Sequence, residues 1–122
     1  MLNLALPEIQ FALELTRKAA HLTRQVQREI AGSSLIKDDR SPVTVADFAV
    51  QALAAYLLKK YFQNEILVGE EDSAALCSTE AKPLLERVTQ LVKHFIPETD
   101  SKNVCEWIDH GKAQPTNRFW TI

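Results

Sequence analysis

The sequence has few cysteines, no long apolar run and no excess of basic residues, and each shortage excludes a class of protein. Cys77 and Cys105 are its two cysteines, and they match neither the spacing of a zinc site nor a disulfide framework. We therefore expect both to be reduced, structural thiols. No apolar stretch is long enough to span a bilayer, and the opening segment MLNLALPEIQ lacks the basic region of a signal peptide. The sequence thus predicts a cytoplasmic protein without a membrane partner.

The charge balance gives no reason to expect a nucleic-acid partner. The chain carries 14 lysines and arginines against 16 aspartates and glutamates, for a formal net charge of −2. Proteins that bind a phosphate backbone usually carry a basic excess. Hydrophobic residues make up 46% and charged residues 25% of the 122 residues, as in an ordinary globular domain. The length leaves room for one domain.

Hydrophobic periodicity predicts two long helices, at residues 7 to about 31 and 45 to about 61, and a shorter one at about 82 to 95. Short strands are predicted at 66–68 and 119–122, and both are expected to be buried. A further short helix at 104–109 is closed by Gly111, and Ser78 or Thr79 is expected to cap the helix that begins near residue 82. The polar segment 33–42 breaks the periodicity and predicts a mobile surface loop. These elements indicate an α/β protein of layered helices and two strands.

Three carboxylates follow the first predicted strand directly, in the stretch LVGEED. Glu70, Glu71 and Asp72 repel one another unless water or a cation compensates their charge. Oxygen-rich clusters at strand ends suit Mg²⁺, which proteins hold with one or two carboxylates and waters. By spacing alone, a solvated acidic turn is the commoner explanation, and both alternatives stay open.

A second candidate lies in the stretch SPVTVAD. Thr44 is placed to act as the N-cap of the second long helix, and Asp47, three residues later, completes a variant of the capping box. The functional alternative is that Asp47, at a helix start beside a mobile loop, orients or deprotonates a water molecule.

Taken together, SPVTVADFAVQ (41–51) and ILVGEED (66–72) resemble the opening motifs of the inositol monophosphatase superfamily, a group of Mg²⁺-dependent phosphatases. Within it, the chain is most similar to the 3'(2'),5'-bisphosphate nucleotidases. Three features favour that branch: the full SPVTVAD form, the long helical insertion after GEED and the final RFWTI. The resemblance implies the N-terminal part of an α/β/α/β/α sandwich, with residues 1–122 as an incomplete portion of a single domain.

The resemblance also implies roles for four residues. Glu70 matches a metal ligand and Asp47 matches the acceptor of the proton of the attacking water, while Glu71 and Thr44 are expected to support them. The implied cofactor is Mg²⁺. No residue matches a substrate-binding position, and nothing indicates an oligomeric state.

The function that the resemblance implies is hydrolysis of the 3'-phosphate of adenosine 3',5'-bisphosphate to AMP, with its sulfated analogue 3'-phosphoadenosine 5'-phosphosulfate as a second candidate substrate. The 122 residues alone are expected to be inactive, because the family's later metal ligands have no counterpart in them. An inositol phosphate phosphatase and a non-catalytic helical interaction fragment stay as alternatives.

Overall fold

Five α-helices, a 3-10 helix and a two-stranded parallel sheet make up the part of the chain that the structure describes. The structure is a computed structural model that describes residues 3–31 and 42–122. In chain order its elements are α1 (Pro7–Ala31), α2 (Pro42–Tyr61), β1 (Leu67–Val68), α3 (Ser73–Leu76), the 3-10 helix (Thr79–Ala81), α4 (Lys82–Lys93), α5 (Ser101–Asp109) and β2 (Trp120–Thr121). This mostly helical arrangement with a small sheet is compatible with the predicted α/β class. All of the predicted loop at 33–42 except Pro42 lies outside the described residues.

Helix α2 forms the centre of the core and packs against α1, α4 and α5. Five alanines on this helix are buried, at positions 46, 49, 52, 54 and 55. Alanine favours the helix intrinsically, and its small side chain lets neighbouring helices approach closely. Helix α1 contributes Phe11, Leu22 and Val26 to the same core. No helix in the described ranges is long and apolar enough to cross a membrane.

Helix α2 begins earlier than its sequence pattern predicts. It starts at Pro42 instead of near Val45, because proline suits the first helical turn, where its fixed φ fits and its missing N–H needs no partner. The predicted N-cap role of Thr44 is therefore wrong, since Thr44 lies inside the first turn. Asp47 lies in the second turn, and its interpretation as part of a capping box is wrong as well.

Helix α4 agrees with its prediction in place but not in how it begins. A 3-10 helix leads directly into it, and Ala81 occupies the N-cap position. The predicted cap at Ser78 or Thr79 is wrong, because Thr79 lies within the 3-10 helix and Ser78 makes no capping hydrogen bond with its side chain.

Helix α5 starts at Ser101, three residues before the predicted position. Asp100 accepts a hydrogen bond from the Asn103 N–H at 2.7 Å, and the Asn103 side chain accepts one from the Asp100 N–H at 3.3 Å. This reciprocal capping box satisfies two backbone donors and extends the helix beyond its apolar stripe.

The two predicted strands pair in parallel, with Leu67 opposite Trp120 and Val68 opposite Thr121. Parallel pairing needs a long crossover, which α3 to α5 supply. Trp120 is half-buried and stacks edge-on against Phe11, with ring centres 5.1 Å apart. The expectation that all of 119–122 is buried is wrong, because Phe119 and Ile122 remain 42% and 45% exposed. Within the described residues β2 has one neighbouring strand, so its other edge is open.

Cys77 and Cys105 form a disulfide, which contradicts the prediction of two reduced thiols. The bridge joins the C-terminal end of α3 to α5, with 6.8 Å between the two Cα atoms. The cysteines stand 28 residues apart, and they come together because α3 packs on α5. The spacing in the sequence contains no sign of this packing. Disulfides are uncommon in the cytosol, and the bridge therefore does not support the predicted cytoplasmic location. That location stays a prediction.

Candidate functional site

The three acidic residues that the resemblance singles out line one cleft. The cleft has a volume of about 490 Å³ and lies between α1, the N-terminal half of α2 and the turn that follows β1. Its lining residues are Thr16, Ala19, Ala20, Thr23, Ala46, Asp47, Val50, Gln51, Glu70, Glu71 and Ile122. The structure therefore brings Asp47, Glu70 and Glu71 together from segments 23 or more residues apart in the sequence.

Helix α2 presents Asp47 to this cleft as an exposed side chain. Its position in the second helical turn removes the helix cap as an explanation for the aspartate. Thr44 is half-buried in the preceding turn and is not among the described residues that line the cleft. Thr44 and Asp47 therefore lie one turn apart on α2, and of the two only Asp47 is among the described residues that line the cleft.

The backbone of residues 70–72, called the acidic turn below, is fixed on both sides of Glu70. On one side, the Gly69 N–H donates to the carbonyl of Gly111 at 2.8 Å. On the other, the Glu71 N–H donates to Gln51 Oε1 and the Glu71 carbonyl accepts from Gln51 Nε2, both at 3.0 Å. Glu70 itself is exposed. The turn is thus an anchored piece of backbone that holds a solvent-accessible carboxylate.

Asp72, at the C-terminal end of the acidic turn, makes contacts that stabilise the fold. Asp72 caps α3 by accepting a hydrogen bond from the Ala74 N–H at 2.7 Å, and it forms an ion pair with Lys112 at 3.3 Å. These contacts, the Ala74 hydrogen bond first, lower the pKa of Asp72 below its ordinary value. Ser73 donates from both its N–H and its hydroxyl to the Asp109 carboxylate, at 3.1 and 2.6 Å. Helix α5 thereby holds the turn from outside the cleft.

The cleft concentrates negative charge around Glu71. The pKa of Glu71 is raised, first by partial burial and then by the negative charges of Asp47 and Glu70. Both causes penalise the ionised form. A cation placed among these carboxylates would relieve the repulsion.

The donor chemistry of the cleft fits Mg²⁺, which prefers carboxylate oxygens and keeps several waters. Glu70 and Glu71 are the residues that could hold it, with Asp47 across the cleft. Among the described residues, however, no group of three or more His, Cys, Asp or Glu side chains is arranged to hold a metal. The described residues by themselves therefore do not form a complete metal site.

Comparison with known proteins gives a consistent result. The chain is 40% identical to the 3'(2'),5'-bisphosphate nucleotidase of Schizosaccharomyces pombe over 94% of the chain and 37% of that protein. It is 34% identical to 3'(2'),5'-bisphosphate nucleotidase 2 of Candida albicans over 94% of the chain and 36% of that protein. A probable 3'(2'),5'-bisphosphate nucleotidase 3 of Arabidopsis thaliana is 35% identical over 90% of the chain and 36% of that protein.

By sequence, the chain is similar to part of the 3'(2'),5'-bisphosphate nucleotidases. The predicted resemblance is confirmed, and the relatives are hydrolases by name. The match corresponds to an N-terminal portion of these proteins. The chain spans a little over a third of the length of the curated relatives, 36% to 37% in these three. No family model matches the chain.

Sequence reasoning missed the residues that anchor the acidic turn. The SPVTVADFAVQ motif contains Gln51 but indicates no role for it. The pattern predicts only a helix end at Asp109 and Gly111, and it predicts no role for Lys112. One signal was available. The run from residue 48 to residue 58 is apolar except for Gln51 and the hydroxyl of Tyr56. A glutamine in such a run is expected to be buried and therefore needs hydrogen-bond partners. The contacts with α5 had no comparable signal.

Proposed function

We propose that this chain is the N-terminal portion of a Mg²⁺-dependent phosphatase that hydrolyses the 3'-phosphate of adenosine 3',5'-bisphosphate, giving AMP and phosphate. The observation that supports the proposal most is the convergence of Asp47, Glu70 and Glu71 on one cleft. The similarity to bisphosphate nucleotidases supplies the reaction and the class of substrate.

In the proposed reaction, a water oxygen attacks phosphorus, the bond from phosphorus to the 3'-oxygen breaks, and that oxygen takes up a proton. When bound, Mg²⁺ supplies charge neutralisation of the phosphate and activation of water. Glu70 is the proposed metal ligand, since its backbone is fixed on both sides and its carboxylate is exposed to the cleft. Glu71 adds negative charge beside it. Asp47, which faces the same cleft, accepts the proton that the attacking water loses.

We infer that the 122 residues alone do not turn over substrate. Two-metal phosphoryl chemistry needs several converging oxygen ligands, and the described residues contain no closed group of three metal-binding side chains. The remaining ligands then belong to a portion equivalent to the other two thirds of the relatives.

A chimera tests the proposal. The 122 residues replace the matching portion of the Schizosaccharomyces pombe nucleotidase, to which they are 40% identical, and phosphate release from adenosine 3',5'-bisphosphate is measured with Mg²⁺. We expect activity, and we expect Glu70→Gln and Asp47→Asn each to lower kcat by about 100-fold or more, the scale of a lost general base or ligand.

Asp72→Asn is the matched control, because Asp72 is a carboxylate in the same turn that does not line the cleft. It should leave kcat within about threefold. A folded chimera without activity, or a Glu70→Gln variant no slower than Asp72→Asn, would contradict the proposed roles. Turnover by the 122 residues alone at the rate of the chimera would contradict their inferred inactivity.

A further inference from the structure

Gln51 is the most deeply buried polar side chain beside the cleft. It is 2% exposed and lies one helical turn after Asp47 on α2, so both side chains project from the same face of the helix. A buried amide is costly unless its donors and acceptor have partners. The partners of Gln51 therefore show what its burial stabilises.

The Gln51 side chain makes three hydrogen bonds with described residues, and all three go to backbone outside α2. Gln51 Oε1 accepts from the Glu71 N–H, and Nε2 donates to the carbonyls of Glu71 and Ile108 at 3.0 and 2.8 Å. The amide thus makes a paired contact with one residue of the acidic turn and a single contact with the end of α5. A paired contact fixes both the position and the orientation of the backbone of Glu71, which a single hydrogen bond does not.

Two glycines make room for this amide. A Cβ added at Gly69 would lie 2.4 Å from Gln51 Oε1, and one added at Gly111 would lie 2.5 Å from Gln51 Nε2. These two glycines are also joined by the hydrogen bond from the Gly69 N–H to the Gly111 carbonyl. The amide therefore fits into a gap that only glycine leaves open, directly before Glu70.

We propose that Gln51 is a positioning residue that sets the location of Glu70 and Glu71 relative to Asp47. The same helix carries Asp47 and, one turn later, the amide that holds the acidic turn, so α2 fixes the separation between the proposed proton acceptor and the proposed metal ligand. This inference rests on the proposed function for the roles of Asp47 and Glu70. The hydrogen bonds by which Gln51 anchors the acidic turn do not depend on those roles.

The test begins with amide hydrogen exchange of the 122-residue chain, followed by NMR without metal. In the wild type the Glu71 amide should exchange at least tenfold more slowly than the neighbouring Glu70 amide, which has no acceptor among residues 3–31 and 42–122. If both exchange equally fast, the inference is wrong, and this measurement needs no variant that might fail to fold.

The variant Gln51→Met keeps the length of the side chain and removes its hydrogen bonds. We expect Glu71 protection to fall at least tenfold and residues 70–72 to gain motion, while the amides of α2 and α4 keep their protection. Gln27→Met, at an exposed position on α1, is the control and should change neither. Loss of protection spread evenly over the chain, or unchanged Glu71 protection, would show a residue that only packs the core.

Broadening of amide signals by Mn²⁺ separates this inference from the proposed function. In the wild type, signals of residues 47, 70 and 71 should broaden selectively, and Gln51→Met should reduce that broadening severalfold. A wild type with an anchored turn but no selective broadening would contradict the metal role of Glu70. Broadening that Gln51→Met leaves unchanged would contradict the positioning role of Gln51.

Discussion

The two sides of the acidic turn place neighbouring carboxylates in opposite environments. On the cleft side, Glu71 is partly buried next to Asp47 and Glu70, and its pKa is raised. On the outer side, Asp72 caps α3 and pairs with Lys112, and its pKa is lowered. Adjacent residues of the same chemical type thus have different roles, which depend on the elements they face. On the cleft side, negative charges lie near one another. On the outer side, the charge of Asp72 is paired with that of Lys112.

We expect the largest loss of stability from a substitution that fills the space between Gly69 and the Gln51 amide. Gly69→Ala would place its Cβ 2.4 Å from Gln51 Oε1, and the buried amide cannot move without losing its hydrogen bonds. We expect a loss of about 3 kcal/mol in the free energy of unfolding, the upper part of the usual range for overpacking, measured by urea denaturation.

The matched control is the same substitution in a Gln51→Ala background, where the space is free. Because the two residues are in contact, their effects should not add, and the coupling should reach about 1–3 kcal/mol. A Gly69→Ala variant as stable as the wild type, or the full cost persisting in the double variant, would refute the close approach of the amide.

The next largest effect should come from the outer side. Asp109→Ala removes the acceptor of two hydrogen bonds from Ser73, and hydrogen bonds to charged groups contribute about 1.5–3 kcal/mol when they are not replaced by water. Asp109 is half-buried, so we expect a loss of about 1.5 kcal/mol by thermal or urea unfolding. Glu106→Ala, an exposed change on the same helix, should cost less than about 0.5 kcal/mol, and equal losses in the two variants would argue against the anchor.

The smallest expected effects are the changes of stability with pH that come from Glu71 and Asp72. They distinguish the two sides of the turn, because the two residues should change stability in opposite directions. Because the pKa of Glu71 is raised in the folded chain, ionisation of Glu71 lowers the free energy of unfolding. This loss is absent at a pH below the ordinary pKa of glutamate and complete at a pH above the pKa in the folded chain. Glu71→Gln should therefore stabilise the chain at pH 7, by less than about 1 kcal/mol because solvent still screens this partly buried charge, but not near pH 3.

The lowered pKa of Asp72 has the reverse effect: its contribution to stability is present above the ordinary pKa and is lost as pH falls through the folded one. Asp72→Asn should destabilise at pH 7 and be neutral at the lowest pH. Urea unfolding of both variants from pH 3 to pH 7 measures this pair of slopes, and slopes of the same sign would contradict the division of the turn into two sides.

The helices were predictable because their signal is local. The apolar spacing of α1 and the proline that begins it give its bounds directly, and residues 7 to about 31 match the observed Pro7–Ala31. The starts of α2 and α5 were placed three residues late, since Pro42 and the Asp100 capping box extend these helices beyond their apolar stripes.

The candidate site was predictable only as far as its motifs reach. Asp47, Glu70 and Glu71 were found in the sequence, and the structure places all three in one cleft. The Cys77–Cys105 bridge and the contacts of Ser73 with Asp109 depend on how α3 packs on α5, and packing between segments about 30 residues apart leaves no periodicity to detect. The open edge of β2 is likewise a property of the sheet and not of the strand's own sequence.

The most direct test of the central claim is a Mn²⁺ titration of the wild-type chain, observed by NMR at pH 7. We predict selective broadening of the signals of Glu70, Glu71 and Asp47, with much weaker broadening at exposed carboxylates outside the cleft such as Glu106, and its loss in Glu70→Gln. Broadening that is strongest at Asp72, or that spreads evenly over the exposed carboxylates, would contradict the assignment of this cleft as a metal site.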